Sequence, residues 1–124
     1  IVLWTSAVLS SFFGNIPVVI AMIPLVHTLI GATAIELTLE QSPELLERYV
    51  AHPLWWSLAL GACLGGNGTL FGAAANVVVI QVARRNGYNL SFWDFMRYGA
   101  PVTIVTLLVS SVYIYVRYFA FSPL

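Results

Sequence analysis

Lysine is absent from this chain, and charged residues of any kind make up only 8% of its 124 residues. A soluble domain carries about 25%. A water-facing surface cannot be made from so little charge. Net charge is zero, so no argument for a nucleic-acid or acidic partner is available. One cysteine, Cys63, excludes an internal disulfide. It lies in an apolar run and reads as a small packing residue. No acidic or basic residue falls near the centre of a long apolar run, which argues against this chain alone supplying a proton relay. Metal-ligand spacing, a nucleophile triad and a phosphate loop are also missing. Gly61 to Gly68 is glycine-rich but lacks the lysine of a phosphate loop. The reading is therefore neither an enzyme nor a cofactor protein, with sodium or protons as candidate coupling ions only.

What is present is apolar. The chain is 60% hydrophobic, with a mean hydropathy of +0.89. These values predict an all-α integral membrane protein. Three hydrophobic stretches stand out, at about 1–31, 53–83 and 100–120. A span needs about 20 residues at 1.5 Å each. The third stretch fits one helix, with the last helix drawn over 99–120. The first two would each reach about 46 Å, too long for one plain span and too short for two. The chain opens inside a hydrophobic segment without an initiator methionine, which predicts a longer native polypeptide.

Both long stretches are interrupted. The first carries Gly14-Asn15-Ile16-Pro17 and the second Gly65-Gly66-Asn67-Gly68-Thr69. Glycine frees the backbone, and proline removes a donor. Non-helical backbone at membrane depth survives only when buried in protein or lining a wet cavity. Two such breaks predict a site between them. The loose N–H groups of a following half-helix favour anions, and the carbonyls of a preceding one favour cations. Asn15, Asn67, Gly68, Thr69 and Asn76 are the candidate solute contacts. Gly14, Pro17, Gly65 and Gly66 would shape the backbone. Asn15 is expected to cap the arm near Pro17, and Thr69 or Asn67 the segment running to Ala83. Asn76, about two turns past the second break, either ties adjacent helices or contacts solute. Thr5, Ser6, Ser10 and Ser11 are read as bonding back to their own helix. Gly72 and Ala73 to Ala75 would permit close helix approach. His27 reads as a satisfied core residue.

The first stretch admits two architectures. One is a long broken helix that crosses the membrane. The other is a re-entrant hairpin with its tip at Phe13 to Pro17 and two arms of about 21 Å each.

The linker 32–52 holds Glu36, Glu40, Glu44 and Glu47. Ser42-Pro43-Glu44 reads as the start of a short interfacial helix, with Ser42 as N-cap and Glu44 and Arg48 at paired spacing. The linker 84–98 holds Arg84, Arg85 and Arg97, three of the five arginines. The positive-inside rule makes it cytoplasmic, which sends 32–52 and the C-terminus outside. Ser91 and Asp94 have capping-box spacing. Phe92, Trp93, Phe95 and Met96 would lie along the membrane surface.

Three motifs carry a resemblance. Ser10-Ser11-Phe12-Phe13-Gly14-Asn15-Ile16-Pro17, followed by Met22-Ile23-Pro24, is similar to the second hairpin motif of ArsB/NhaD-type permeases of the ion transporter superfamily, which have a citrate transporter-like domain. Gly65 through Asn76 resembles that family's glycine–asparagine signature. Phe92-Trp93 through Tyr98-Gly99-Ala100-Pro101 resembles its run into the last helix. The resemblance implies the end of a second inverted repeat: a re-entrant hairpin, a discontinuous helix and a final span. It implies an N-terminal half with a weakly similar inverted copy, an elevator-like shift and a homodimer. It also implies transport of sodium with protons, of arsenite, or of a carboxylate anion. The family commonly has an aspartate where this chain has Gly14, a departure that speaks against a cation role for this tip.

The expected function is thus secondary active transport of a small ion, with the site at the hairpin tip and helix break. A channel, or a non-transporting membrane module acting as an assembly subunit, would share the composition.

Overall fold

Apolar runs poor in charge fold as helices because a helix satisfies its own backbone where water is scarce. The computed structural model describes residues 1–36 and 42–120. Glu40 and the last four residues, both named in the sequence reading, lie outside the described residues. The helices are α1 (Val2–Phe13), α2 (Asn15–Glu36), α3 (Pro43–Leu46), α4 (His52–Gly65), α5 (Ala74–Arg85) and α6 (Phe92–Tyr115). Two π-helical turns complete them, Glu47–Ala51 before α4 and Val116–Ala120 after α6. Among the described residues there is no strand. Among the described residues, two helices are long and apolar enough to cross a membrane: Asn15–Glu36, and the 29 residues of Phe92–Ala120.

The central element is α4, which packs against α1, α2 and α6. On one side Val2, Val18, Met22, Val26 and Leu58 form a buried cluster. On the other, Leu3, Ala7, Leu107 and Ile114 form a second. The approach of α1 to α4 is close at two glycines. A Cβ built on Gly61 would lie 2.3 Å from the Leu3 carbonyl oxygen, and one on Gly65 would lie 2.2 Å from that of Ala7. Gly61 and Gly65 have the G-x-x-x-G spacing that lets apolar helices meet without side chains between them. Sequence reasoning placed close approach at Gly72 to Ala75 instead.

Several boundaries differ from the sequence expectation. α2 runs 22 residues, to Glu36, rather than ending near 31. Pro24 lies inside it, and the Pro24 carbonyl accepts from Thr28 Oγ1 at 3.0 Å. The segment from Pro43 passes through the first π-helical turn directly into α4, so it is not a separate interfacial helix. Pro43 does start α3, but the Ser42 side chain makes no capping bond. Among the described residues of this region, His52 Nε2 lies 3.4 Å from Glu47 Oε1, and no such contact joins Glu44 to Arg48. Residues 92–98 are the first turns of α6 rather than the end of a linker. Ser91 and Asp94 form the expected capping box: Ser91 Oγ accepts from the Asp94 N–H, and the Ser91 N–H donates to Asp94 Oδ2 at 3.0 Å. Cys63 is exposed, since it faces away from α1 and is not a packing residue within this chain. His27 is also exposed, with its ring edge-on to Trp55 at 5.1 Å.

Candidate functional site where the two breaks meet

The two interruptions are built differently. The first is a single residue. Gly14 has φ +84° and ψ 164°, a backbone region that is essentially confined to glycine. Its N–H still bonds to the Ser10 carbonyl at 3.0 Å, and α2 begins at once with Asn15. The second is longer than the sequence implied. The chain leaves α4 at Gly65 and re-enters helix only at Ala74.

The breaks touch. A Cβ on Gly66 would lie 2.6 Å from Asn15 Oδ1 and 3.0 Å from the Gly72 carbonyl oxygen. One on Gly14 would lie 3.8 Å from the same Gly72 oxygen. The start of α2 and the approach to α5 therefore converge on Gly66.

Side chains from each break satisfy the carbonyls of the other. Ser10 Oγ lies 2.6 Å from the Ala62 carbonyl oxygen and 2.7 Å from Asn15 Oδ1. Its one proton serves one of these, and the other contact is made when the Asn15 amide turns its N–H toward the hydroxyl. Ser11 Oγ reaches the Gly65 carbonyl at 2.7 Å as well as Ala7 of its own helix at 2.9 Å. In return, Thr69 donates its hydroxyl proton to the Ser11 carbonyl, and Thr69 Oγ1 accepts from the Gly72 N–H at 3.2 Å. Helix ends leave orphan groups that need partners. Here much of that need is met by cross-bracing rather than by caps.

This arrangement corrects several expectations. Ser10 reaches across to α4, Ser11 both reaches across and bonds back to Ala7, and Thr5 and Ser6 bond back to α1 as expected. Asn15 is the first residue of α2, not a cap before Pro17. α5 starts after Ala73, which has no capping side chain, so neither Thr69 nor Asn67 caps it. Asn76 lies in the first turn of α5, not two turns along. Its amide donates to the Gly66 and Thr69 carbonyls at 2.9 and 3.0 Å, tying the loop rather than a neighbouring helix.

The structure brings Gly14, Asn15, Gly65, Gly66, Gly68, Thr69 and Asn76 into one neighbourhood. Gly68 is buried beside Ser11, and Thr69 is 5% exposed. Pro17 does not join them. It faces an apolar groove with Leu9, Phe13 and Met22. The Asn67 side chain is exposed and makes no hydrogen bond among the described residues. Its carbonyl packs on α6, 2.6 Å from where a Cβ on Gly99 would sit. Sequence reasoning missed the crossing role of Ser10 and Ser11. An adjacent pair of serines just before a break in an apolar run is the signal that would have found it. No residue that joins the two breaks is charged.

Comparison with known proteins adds a second line. The chain is 43% identical over 118 residues to the P protein of Sus scrofa. It is also 43% identical over 124 residues to an uncharacterised transporter of Mycobacterium tuberculosis. A 46 kDa membrane protein of Mycobacterium leprae is 38% identical over 120 residues. This chain is a relative of membrane proteins named as transporters. The matches cover 95%, 98% and 97% of the chain, but only 12%, 26% and 25% of those relatives. The chain thus spans between about an eighth and about a quarter of their length. No family profile and no solved structure matches it. Relatives of this kind, with two helices able to cross a bilayer, place the chain in a membrane.

Proposed function

We propose that this chain is the C-terminal part of an ArsB/NhaD-type permease that carries a small anion or oxyanion by secondary active transport. The observation that carries this reading is the convergence of two helix starts, α2 and α5, on Gly66 with no charged residue beside them. Helix N-termini present free N–H groups and about half a positive charge each. Anions are held this way in transporters built on broken helices. Ala73 offers α5 no side-chain cap, and although the Asn76 N–H bonds to the Ala73 carbonyl at 3.1 Å, the N–H groups of Ala74 and Ala75 have no side-chain partner and are offered to solute. Asn67, exposed at the edge of the loop, supplies an amide that binds solute rather than protein. Gly14 in place of a carboxylate removes the cation handle from this tip.

In this reading α1 and α2 form a re-entrant hairpin and 52–85 a discontinuous helix. α1 reaches about 18 Å, roughly half the membrane, which sets Gly14 near the midplane. α2 returns along α1, as the shared cluster of Val2 with Met22 and Val26 supports. The three arginines of 84–98 favour a cytoplasmic loop. An N-terminal half completes the site, the carrier works as a homodimer, and sodium or protons supply the coupling.

Reconstitution of the full-length protein in vesicles tests the proposal. Saturable uptake of arsenite or a carboxylate, with counterflow against unlabelled solute, is expected. Asn67→Ala should raise the half-saturating concentration about tenfold, the cost of one charge-assisted hydrogen bond. Linear, non-saturating flux would overturn the carrier reading. Unchanged affinity in Asn67→Ala would remove that residue from the site.

A further inference from the structure

The end of the bundle away from the breaks carries a second polar feature. The two π-helical turns, Glu47–Ala51 and Val116–Ala120, lie there in contact. Such turns account for well under 1% of residues and are frequent at functional sites. Each contributes one arginine, Arg48 or Arg117. Together with Glu44, Glu47 and His52 these line a cavity of about 390 Å³. Among the described residues, two guanidinium groups and two carboxylates line it, so it presents both signs.

The same place is amphipathic. Tyr49 lines the cavity and also the adjoining apolar groove of about 300 Å³, with Val50, Leu54, Ile114 and Phe119. Thr33, near the end of α2, borders that groove as well. Both helices able to cross a membrane therefore end at this level. A charged cavity at the level where α2 and α6 end, opening onto an apolar groove, suits headgroup height.

We propose that this cavity binds the headgroup of a zwitterionic phospholipid of the phosphoethanolamine type. The phosphate is held by Arg48 and Arg117, and the ammonium by Glu44 and Glu47. One acyl chain leaves along the groove past Tyr49. Arginine suits phosphate because its planar donors engage two oxygens together. Each guanidinium is steadied by a neighbouring ring, Arg48 at 5.8 Å from the Tyr49 centroid and Arg117 at 5.7 Å from that of Tyr118. A headgroup with negative charge alone would leave the Glu44 carboxylate facing it unpaired, and Glu47 with His52 as its sole neighbour among the described residues. A soluble anion would leave the groove unused. None of these residues takes part in the contact between the breaks, so the inference stands apart from the solute site.

Native mass spectrometry of the full-length protein in detergent is the test, with phosphatidylethanolamine, phosphatidylglycerol and free phosphoethanolamine as probes. The unaltered protein should retain phosphatidylethanolamine about tenfold better than phosphatidylglycerol. Arg48→Ala with Arg117→Ala should lose most of the bound lipid. Glu44→Gln with Glu47→Gln changes two exposed carboxylates and leaves the fold intact by size-exclusion profile. This variant should lose the preference and accept phosphatidylglycerol at least as well. Equal retention of both lipids by the unaltered protein overturns the proposal, as does unchanged selectivity in the glutamine variant. Displacement of the lipid by equimolar free phosphoethanolamine would assign the cavity to a soluble ligand and overturn the lipid assignment.

Discussion

The two breaks solve one problem in opposite ways. The first interrupts a helix with a single residue whose backbone only glycine adopts readily, and it keeps the Gly14 N–H bonded to Ser10. The second interrupts a helix over eight residues, 66–73, and depends on side chains for its shape: Thr69, Asn76, Ser10 and Ser11. A break made by backbone conformation is local and short. A break made by side-chain bracing is longer and fails if its neighbour moves. The difference teaches that the second break is held in shape by the first helix, α1, and by the closeness of α1 to α4.

Substitutions can break that dependence. The largest effect is expected from Gly65→Val, whose Cβ would meet the Ala7 backbone at 2.2 Å. Overpacking against backbone should cost about 3 kcal/mol or more and push α1 off α4, which thermal unfolding in detergent would register. Gly14→Ala should cost about 2 kcal/mol, because a side chain there is strained at φ +84°. If the first break is local, this variant lowers the melting temperature yet leaves the second break's exposure to a membrane-soluble probe unchanged. Thr69→Val removes a buried donor and acceptor together and should cost about 1.5 kcal/mol. If bracing shapes the second break, hydrogen exchange at Gly72 rises while exchange at Gly14 does not. The smallest stability effect belongs to Asn67→Ala, below about 0.5 kcal/mol, since its side chain makes no bond among the described residues. A large melting shift in that variant would mean the loop relies on Asn67 as well.

Much of this was legible before the structure. Residue type marked both interruptions, because glycine, proline and asparagine disfavour continuous helix wherever they fall. The capping box at Ser91 and Asp94 was equally legible, since it needs only a three-residue spacing. The partners of Ser10 and Ser11 were not. A serine in a helix has its own carbonyls three and four residues back, and only the register of α1 against α4 brings Ala62 and Gly65 within reach. The placement of Asn76 was misjudged for a related reason. The length of the second break follows from where its carbonyls find donors, and those donors come from elsewhere in the fold.

Composition and pattern alone therefore determined that the chain is helical and apolar and that it is interrupted twice, because local backbone preference and the lack of charge act without any partner. Tertiary structure alone decided that the interruptions meet, which hydroxyl serves which carbonyl, and which glycines carry the contact. Those outcomes depend on distances of a few ångströms between segments some fifty residues apart, and such distances are set by packing, not by neighbours in the chain.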